Sequence, residues 1–302
     1  MIPQQNARDV RPINGLYEIA DRYDAILCDI WGVLHDGLAA FPSASEALVS
    51  FRRGGGTVVL VTNAPRPSSP IRRQVLKLGV SPDAFDGIAT SGDVTVALIA
   101  ERFNDPVAYI GPPRDIGLFD AVAEASGRRP ELVSVDEAQY AICTGLRDDE
   151  FETPQDYERE LLVMAARAMT MICANPDVVV HRGSKLVYCA GALANRYEEL
   201  GGYAIYAGKP YGEIYARALA LAEYTRGAPV SRRRVLAIGD GMKTDIAGAA
   251  AAGLDALFIK HGVHRPDLLG GGPESPADRR KLHRLFVEHG LWPTAAIDAL
   301  RP

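Results

Sequence analysis

Short apolar runs alternate along this chain with segments of helical character, and several of the runs end on a residue suited to phosphate chemistry. The runs are AILCDI (25–30), TVVLVT (57–62), GIAT (87–90), PVAYIG (106–111), YAICTGL (140–146), MTMICAN (169–175), AIYAGKP (204–210), RVLAIGD (234–240) and DALFI (255–259). Between them helices are predicted over 43–53, up to Leu78, and over 93–103, 154–169, 190–200, 211–223 and 244–252, with stops at Gly54-Gly55-Gly56 and Gly253. Strands that alternate with helices form a largely parallel sheet covered on both faces, so the predicted class is α/β.

With 302 residues the chain exceeds what one core usually fills, since single cores stop growing near ~250–300 residues. The simplest division is one discontinuous domain, 1–103 plus 204–302, interrupted by an insert that carries its own strands and helices. The Gly-rich stretch 270–278 reads as a surface turn before a last helix with one apolar face. A net charge of −5 gives no general attraction to nucleic acid or to an anionic membrane, and no apolar run reaches the roughly 20 residues that span a bilayer. The start of the chain lacks the basic-then-apolar pattern of a secretory signal. Cys28, Cys143, Cys173 and Cys189 are scattered without C-x-x-C spacing, as expected of buried reduced thiols, and a cytoplasmic location is expected.

Open α/β sheets collect ligands at the carboxyl ends of their strands. Asp29, Thr62, Asn63, Lys209, Asp240 and Asp245 all fall at such positions. A carboxylate there, beside a magnesium ion, can attack phosphorus, and Asp29 is the candidate nucleophile. Magnesium takes an octahedral oxygen shell with few carboxylates, which Asp29, a nearby backbone carbonyl and Asp240 supply, with Asp245 binding directly or supporting from behind. The Thr62 hydroxyl and Asn63 amide are donors for phosphoryl oxygens, and Lys209 is the balancing point charge. Taken singly, an Asp after a strand is an ordinary turn or cap residue and a lysine an ordinary surface charge. Four such features in order, each after its own strand, make phosphoryl transfer on a small soluble ligand the leading reading.

These residues and motifs carry a family likeness. The chain resembles the haloacid-dehalogenase-like hydrolase superfamily, class IIA, the branch with N-acetylglucosamine phosphate, pyridoxal phosphate and 4-nitrophenyl phosphatases. The resemblance runs through DIWGVLHDG, VTNAPRPS, GKP and GDGMKTDIAGAAAAG, and through TSGDVTVALIA, CTGLRDD and CANPDV around the insert. It implies a Rossmann-like, doubly wound core with an α/β cap at 104–203. It also implies a nucleophilic Asp29 that forms an aspartyl-phosphate, phosphate binding by Thr62, Asn63 and Lys209, and magnesium at Asp240. Cap residues choose the substrate in this branch, and by position Asn175, Asp177, His181 and Tyr188 are the candidates. Caps of the branch often take part in dimer contacts, so a homodimer is one assembly the resemblance allows.

Trp31 departs from the pattern. Phosphatases of the family usually carry Asp there, its carbonyl on magnesium and its carboxyl serving as acid and base. Trp31 keeps the carbonyl, but indole is a donor only and exchanges no proton at pH 7. His35 and Asp36 are the candidate stand-ins. The leading expectation is a magnesium-dependent phosphatase for a small phosphomonoester of sugar phosphate, nucleotide or pyridoxal phosphate type. The alternatives are a phosphorylated-ligand binding or regulatory protein with weak turnover and a dehalogenase-like hydrolase. A dinucleotide-dependent oxidoreductase ranks last, because no G-x-G-x-x-G follows the strand at 25–30.

Overall fold

Apolar runs that alternate with turn and cap residues become strands here. The computed structural model describes residues 10–102, 104–182, 185–268 and 279–302, and the stretch 270–278 lies outside them. The strands are β1 (Arg11–Pro12), β2 (Ala25–Asp29), β3 (Thr57–Thr62), β4 (Gly87–Thr90), β5 (Val107–Ile110), β6 (Tyr140–Cys143), β7 (Thr170–Cys173), β8 (Val179–Arg182), β9 (Lys185–Tyr188), β10 (Tyr203–Tyr206), β11 (Val235–Gly239), β12 (Asp255–Ile259) and β13 (Ala295–Ile297). The helices are α1 (Pro42–Arg53), α2 (Ser68–Leu78), α3 (Ser91–Ala100), α4 (Leu118–Ser126), α5 (Glu158–Ala166), α6 (Ala190–Glu199), α7 (Gly212–Arg226), α8 (Ala247–Ala252), α9 (Arg265–Leu268) and α10 (Arg279–His289).

By contacts the chain divides into two compact units, one of Met1–Val61, Val75–Ile88 and Ala218–Pro302, the other of Thr62–Gln74 and Ala89–Arg217. A seven-stranded sheet has the order β1-β13-β12-β11-β2-β3-β4. β2 pairs in parallel with β3 on one side and β11 on the other, and β11, β12 and β13 continue in parallel away from it. The chain therefore winds outward from β2 first in one direction and then, after the insert, in the other. Every residue of β2, β3 and β11 is buried, as strands of a sheet covered on both faces require.

A second sheet has the order β10-β7-β6-β5, all parallel. Its side chains alternate strictly between two clusters. Ala108, Ala141, Cys143, Met171 and Cys173 pack with Leu161, Met164, Leu193 and Tyr197 of α5 and α6. Val107, Tyr140, Ile142 and Ile172 pack with Ile99 of α3 and Leu118, Phe119 and Val122 of α4. This period of two is why one short strand serves two helical layers. β8 and β9 form a separate antiparallel pair.

Several elements differ from expectation. The run AIYAGKP does not return to the first sheet, because β10 pairs with β7 along its whole length. The helix predicted over 93–103 starts at Ser91, since Thr90 caps it in a reciprocal capping box with Asp93. The helix predicted over 154–169 opens as a tight turn over Pro154–Tyr157, and the one over 244–252 opens as a π-helical turn over Met242–Ile246. The short strands β1, β8, β9 and β13 and the helices α4 and α9 were not expected. All four cysteines are buried thiols, and no helix among the described residues is long and apolar enough to cross a membrane.

Tyr197 ties α6 to the second sheet, its fully buried hydroxyl donating to the Met169 carbonyl at 2.6 Å. Tyr197→Phe leaves that carbonyl without its donor and is expected to destabilise the fold by about 1–3 kcal/mol, read as a lower urea midpoint for the loss of circular dichroism.

Candidate active site

The strand order reverses between β2 and β11, and at such a switch point the loops leaving the two strands part and open a crevice. Asp29 is the last residue of β2, Asp240 follows the end of β11, and Asp245 sits in the π-helical turn beyond it. Ligand oxygens of the three carboxylates all lie within 4.8 Å of one another, and all three residues are buried, with exposures of 8 %, 6 % and 4 %. Carboxylates brought this close out of water repel, and a hard cation or a proton must offset that repulsion. Oxygen donors at this spacing suit an ion that binds oxygens at about 2.0–2.1 Å on opposite sides, so the residues present fit magnesium.

Glycines make the convergence sterically feasible. A Cβ at Gly32, whose φ is +80°, would stand 2.2 Å from Asp240 Oδ2, and one at Gly262 would stand 1.9 Å from the same oxygen. The Val263 amide donates to Asp240 Oδ2 at 2.6 Å and the Gly241 amide to Asp245 Oδ2 at 3.0 Å. A Cβ at Gly239 would fall 2.1 Å from Asp245 Cγ. Gly32, Gly262 and Val263 are contributors that sequence reasoning missed. Gly32 stands inside the motif DIWGVLHDG, whereas Gly262 lies in the loop after β12 and only the fold reveals its proximity.

Trp31 is half-buried and built into the turn that follows β2. Its indole meets the His35 ring edge-on at a centroid distance of 5.2 Å. It also packs over Gly37, where φ is +90° and a Cβ would stand 2.5 Å from Trp31 Cη2. The two expected stand-ins serve this turn as well. His35 is buried, its Nδ1 accepts the Gly37 amide at 3.0 Å, and burial holds its pKa below the ordinary histidine value. Asp36 Oδ1 accepts the amides of Leu38 and Ala39, each at 2.9 Å, and hydrogen bonds from Ala39 and Leu38 hold its carboxyl below the usual range.

In the second unit, Thr62 ends β3 and its Oγ1 accepts the Ala64 amide at 3.2 Å, leaving the hydroxyl hydrogen to donate elsewhere. Lys209 follows β10 and is only 3 % exposed. The Asn63 side chain is engaged within this unit. Its Oδ1 accepts the Lys209 amide at 2.7 Å, and its Nδ2 donates to the Lys209 carbonyl at 3.2 Å and to Asp177 Oδ1 at 2.9 Å. Both amide hydrogens are engaged, so the side chain clamps the lysine segment. Asn175 and Asp177 serve the same assembly: Asn175 Oδ1 accepts the Asp177 amide at 3.1 Å, a turn that aims Asp177 at Asn63. Tyr188 ends β9 opposite Val179 and is 41 % exposed. His181 lies on β8 opposite Leu186, and its side chain is outside the described part of the structure.

Two family models match the chain, a haloacid dehalogenase-like hydrolase model over residues 26–125 and a second of the same kind over residues 206–280. A crystal structure of a hydrolase of the haloacid dehalogenase-like family from Brucella suis 1330 is 44% identical, with 95% of this chain and 99% of that one covered and a TM-score of 0.82. The ribonucleotide monophosphatase NagD of Escherichia coli is 25% identical over 83% of this chain and 93% of its own length. A p-nitrophenyl phosphatase from Archaeoglobus fulgidus shares the fold at 22% identity and a TM-score of 0.68, with 92% and 96% coverage. On this sequence and structural agreement, the chain belongs to the haloacid-dehalogenase-like hydrolase superfamily, class IIA.

Proposed function

We propose that the chain is a magnesium-dependent phosphatase of small phosphomonoesters, of sugar phosphate, nucleotide or pyridoxal phosphate type, working in the cytoplasm. The observation that carries this reading is the buried convergence of Asp29, Asp240 and Asp245 at the switch point of a parallel sheet. The relatives add support, since those with a named activity are phosphatases. Held by Asp29, the Trp31 carbonyl, Asp240 and Asp245, magnesium would neutralise the charge of the incoming phosphate.

An Asp29 carboxylate oxygen attacks phosphorus, the new O–P bond forms as the ester O–P bond breaks, and the bonding pair departs with the leaving oxygen as an alkoxide. Water then attacks the aspartyl-phosphate, releasing phosphate and restoring the carboxylate. Lys209 supplies a fixed positive charge and Thr62 a hydroxyl donor to the phosphoryl oxygens, while Asn63 keeps the Lys209 segment in place. The second unit supplies substrate selectivity, with Tyr188 and His181 as its candidates and Asn175 and Asp177 as supports of the clamp.

The leaving alkoxide must gain a proton, and indole cannot give one. The turn engages His35 at Nδ1 and Asp36 at Oδ1, so leaving groups that are stable as anions suit this site best. That engagement also favours a second reading, retention of a phosphorylated ligand with little turnover.

Turnover of p-nitrophenyl phosphate should require magnesium and should be abolished by Asp29→Asn in a protein that keeps its circular dichroism. Turnover by that variant would remove Asp29 from the chemistry, and its absence in the unaltered protein would favour the second reading. Trp31→Asp is expected to raise kcat for an alkyl phosphate by up to about 10²-fold and to change p-nitrophenyl phosphate turnover much less, because a nitrophenolate leaves without a proton. Loss of the indole packing should lower the melting temperature of the same variant, by about 1–3 kcal/mol of stability. Burial favours the neutral form of His35, so its contribution to stability is full above the unfolded value near 6.5. That contribution is lost as pH falls below this value, so the melting temperature should drop more steeply between pH 7 and 5.5 for the unaltered protein than for His35→Gln.

A further inference from the structure

The segment Thr90-Ser91-Gly92-Asp93 belongs to a motif that the chemistry above leaves without a task. Three of its residues have visible work. Thr90 and Asp93 cap each other, with the Asp93 amide 2.9 Å from Thr90 Oγ1. The Gly92 amide donates to the Ala64 carbonyl at 3.1 Å, and a Cβ at Gly92 would stand 2.3 Å from the Arg66 carbonyl carbon, so this approach requires glycine. Asp93 Oδ1 accepts the Ser68 amide at 3.1 Å and the Ser68 hydroxyl at 3.3 Å. The turn thus grips residues 64–68, immediately after Thr62 and Asn63.

Ser91 is the exception. It is fully buried, and its hydroxyl has no hydrogen-bond partner among the described residues. Interiors keep few such groups, because an orphaned hydroxyl is costly and alanine would fill nearly the same space. Its surroundings suggest what it serves. A Cβ at Gly208 would stand 3.0 Å from Ser91 Oγ and 2.4 Å from Asn63 Oδ1, so both oxygens crowd the bare side of the residue before Lys209. Asn63 Oδ1 already accepts the Lys209 amide, and a carboxamide oxygen has a second lone pair.

We infer that Ser91 is a positioning residue for Lys209, its hydroxyl donating to the second lone pair of Asn63 Oδ1 when the lysine holds an anion. The inference rests on the phosphatase reading for one of its two assays. Kinetics with p-nitrophenyl phosphate and magnesium, and calorimetric titration with inorganic phosphate, are compared for the unaltered protein, Ser91→Ala, Asn63→Ala and the double variant. Ser91→Ala should lower kcat/KM about 5- to 10-fold, the worth of one neutral hydrogen bond, and weaken phosphate binding by a similar factor. Its melting temperature should be unchanged or higher, and the double variant should be no worse than Asn63→Ala alone. Unaltered kinetics and phosphate affinity in Ser91→Ala, a fall in its melting temperature, or additive losses in the double variant would each overturn the inference. If the unaltered protein binds phosphate but turns over no ester, the phosphatase reading fails alone and the titration decides for Ser91. Failure to bind phosphate at all overturns both.

Discussion

Electrostatic repulsion among Asp29, Asp240 and Asp245 is the constraint from which the first unit is best understood. Three carboxylates with oxygens within 4.8 Å and almost no exposure are costly for any fold. The chain offsets part of that cost with backbone donors, the Val263 amide on Asp240 and the Gly241 amide on Asp245. It removes Cβ atoms where two oxygens and a chain must share one space, at Gly32, Gly239 and Gly262. Gly32 and Gly262 lie on the loops after β2 and β12, and Gly239 closes β11 where its own loop begins. The sheet order places those loops side by side, since β2, β11 and β12 are neighbours. Topology and carboxylate geometry are therefore one requirement.

In the second unit the organising interaction is the carboxamide of Asn63. It binds both the amide and the carbonyl of Lys209, and through its remaining hydrogen it reaches Asp177. Segments that are 146 and 114 residues away in sequence meet on one side chain. An aspartate at this position would offer no donor for the Lys209 carbonyl or for Asp177, and a leucine would offer nothing for either, so the amide group itself is needed. A buried lysine is uncommon without such support, because its ammonium loses hydration and its position must be fixed by other means.

Much of this was legible in the sequence. Strand positions followed from apolar runs bounded by glycine, proline and cap residues, and β3, β4 and β12 coincide with TVVLVT, GIAT and DALFI. Asp29 and Asp240 were legible because each closes an apolar strand within an ordered set of phosphate-suited features, although an aspartate after a single strand is an ordinary turn or cap residue. What was not legible depends on contacts distant in sequence. AIYAGKP looks like any buried strand, and nothing local says that it pairs with β7. The pair β8 and β9 is partly exposed and lacks a long apolar run, so periodicity gives it little signal. Residue type shows the donors of Asn63 but not that they reach Lys209 and Asp177.

Trp31 illustrates the same limit from the other direction. Read by residue type, it is a lost proton donor at a position where a carboxyl would be useful. Read by packing, the indole lies against Gly37 and meets the His35 ring, and the same turn engages Nδ1 of His35 and Oδ1 of Asp36. An aspartate at position 31 could not fill that space, and a side chain at Gly37 could not coexist with the indole. The turn and the tryptophan thus form one packed unit, in which Nδ1 of His35 and Oδ1 of Asp36 are used to hold the loop. Restoring a carboxyl at this position would regain a proton donor and lose the packing that shapes the loop, so chemistry and stability are opposed here, and the chain resolves the conflict in favour of packing.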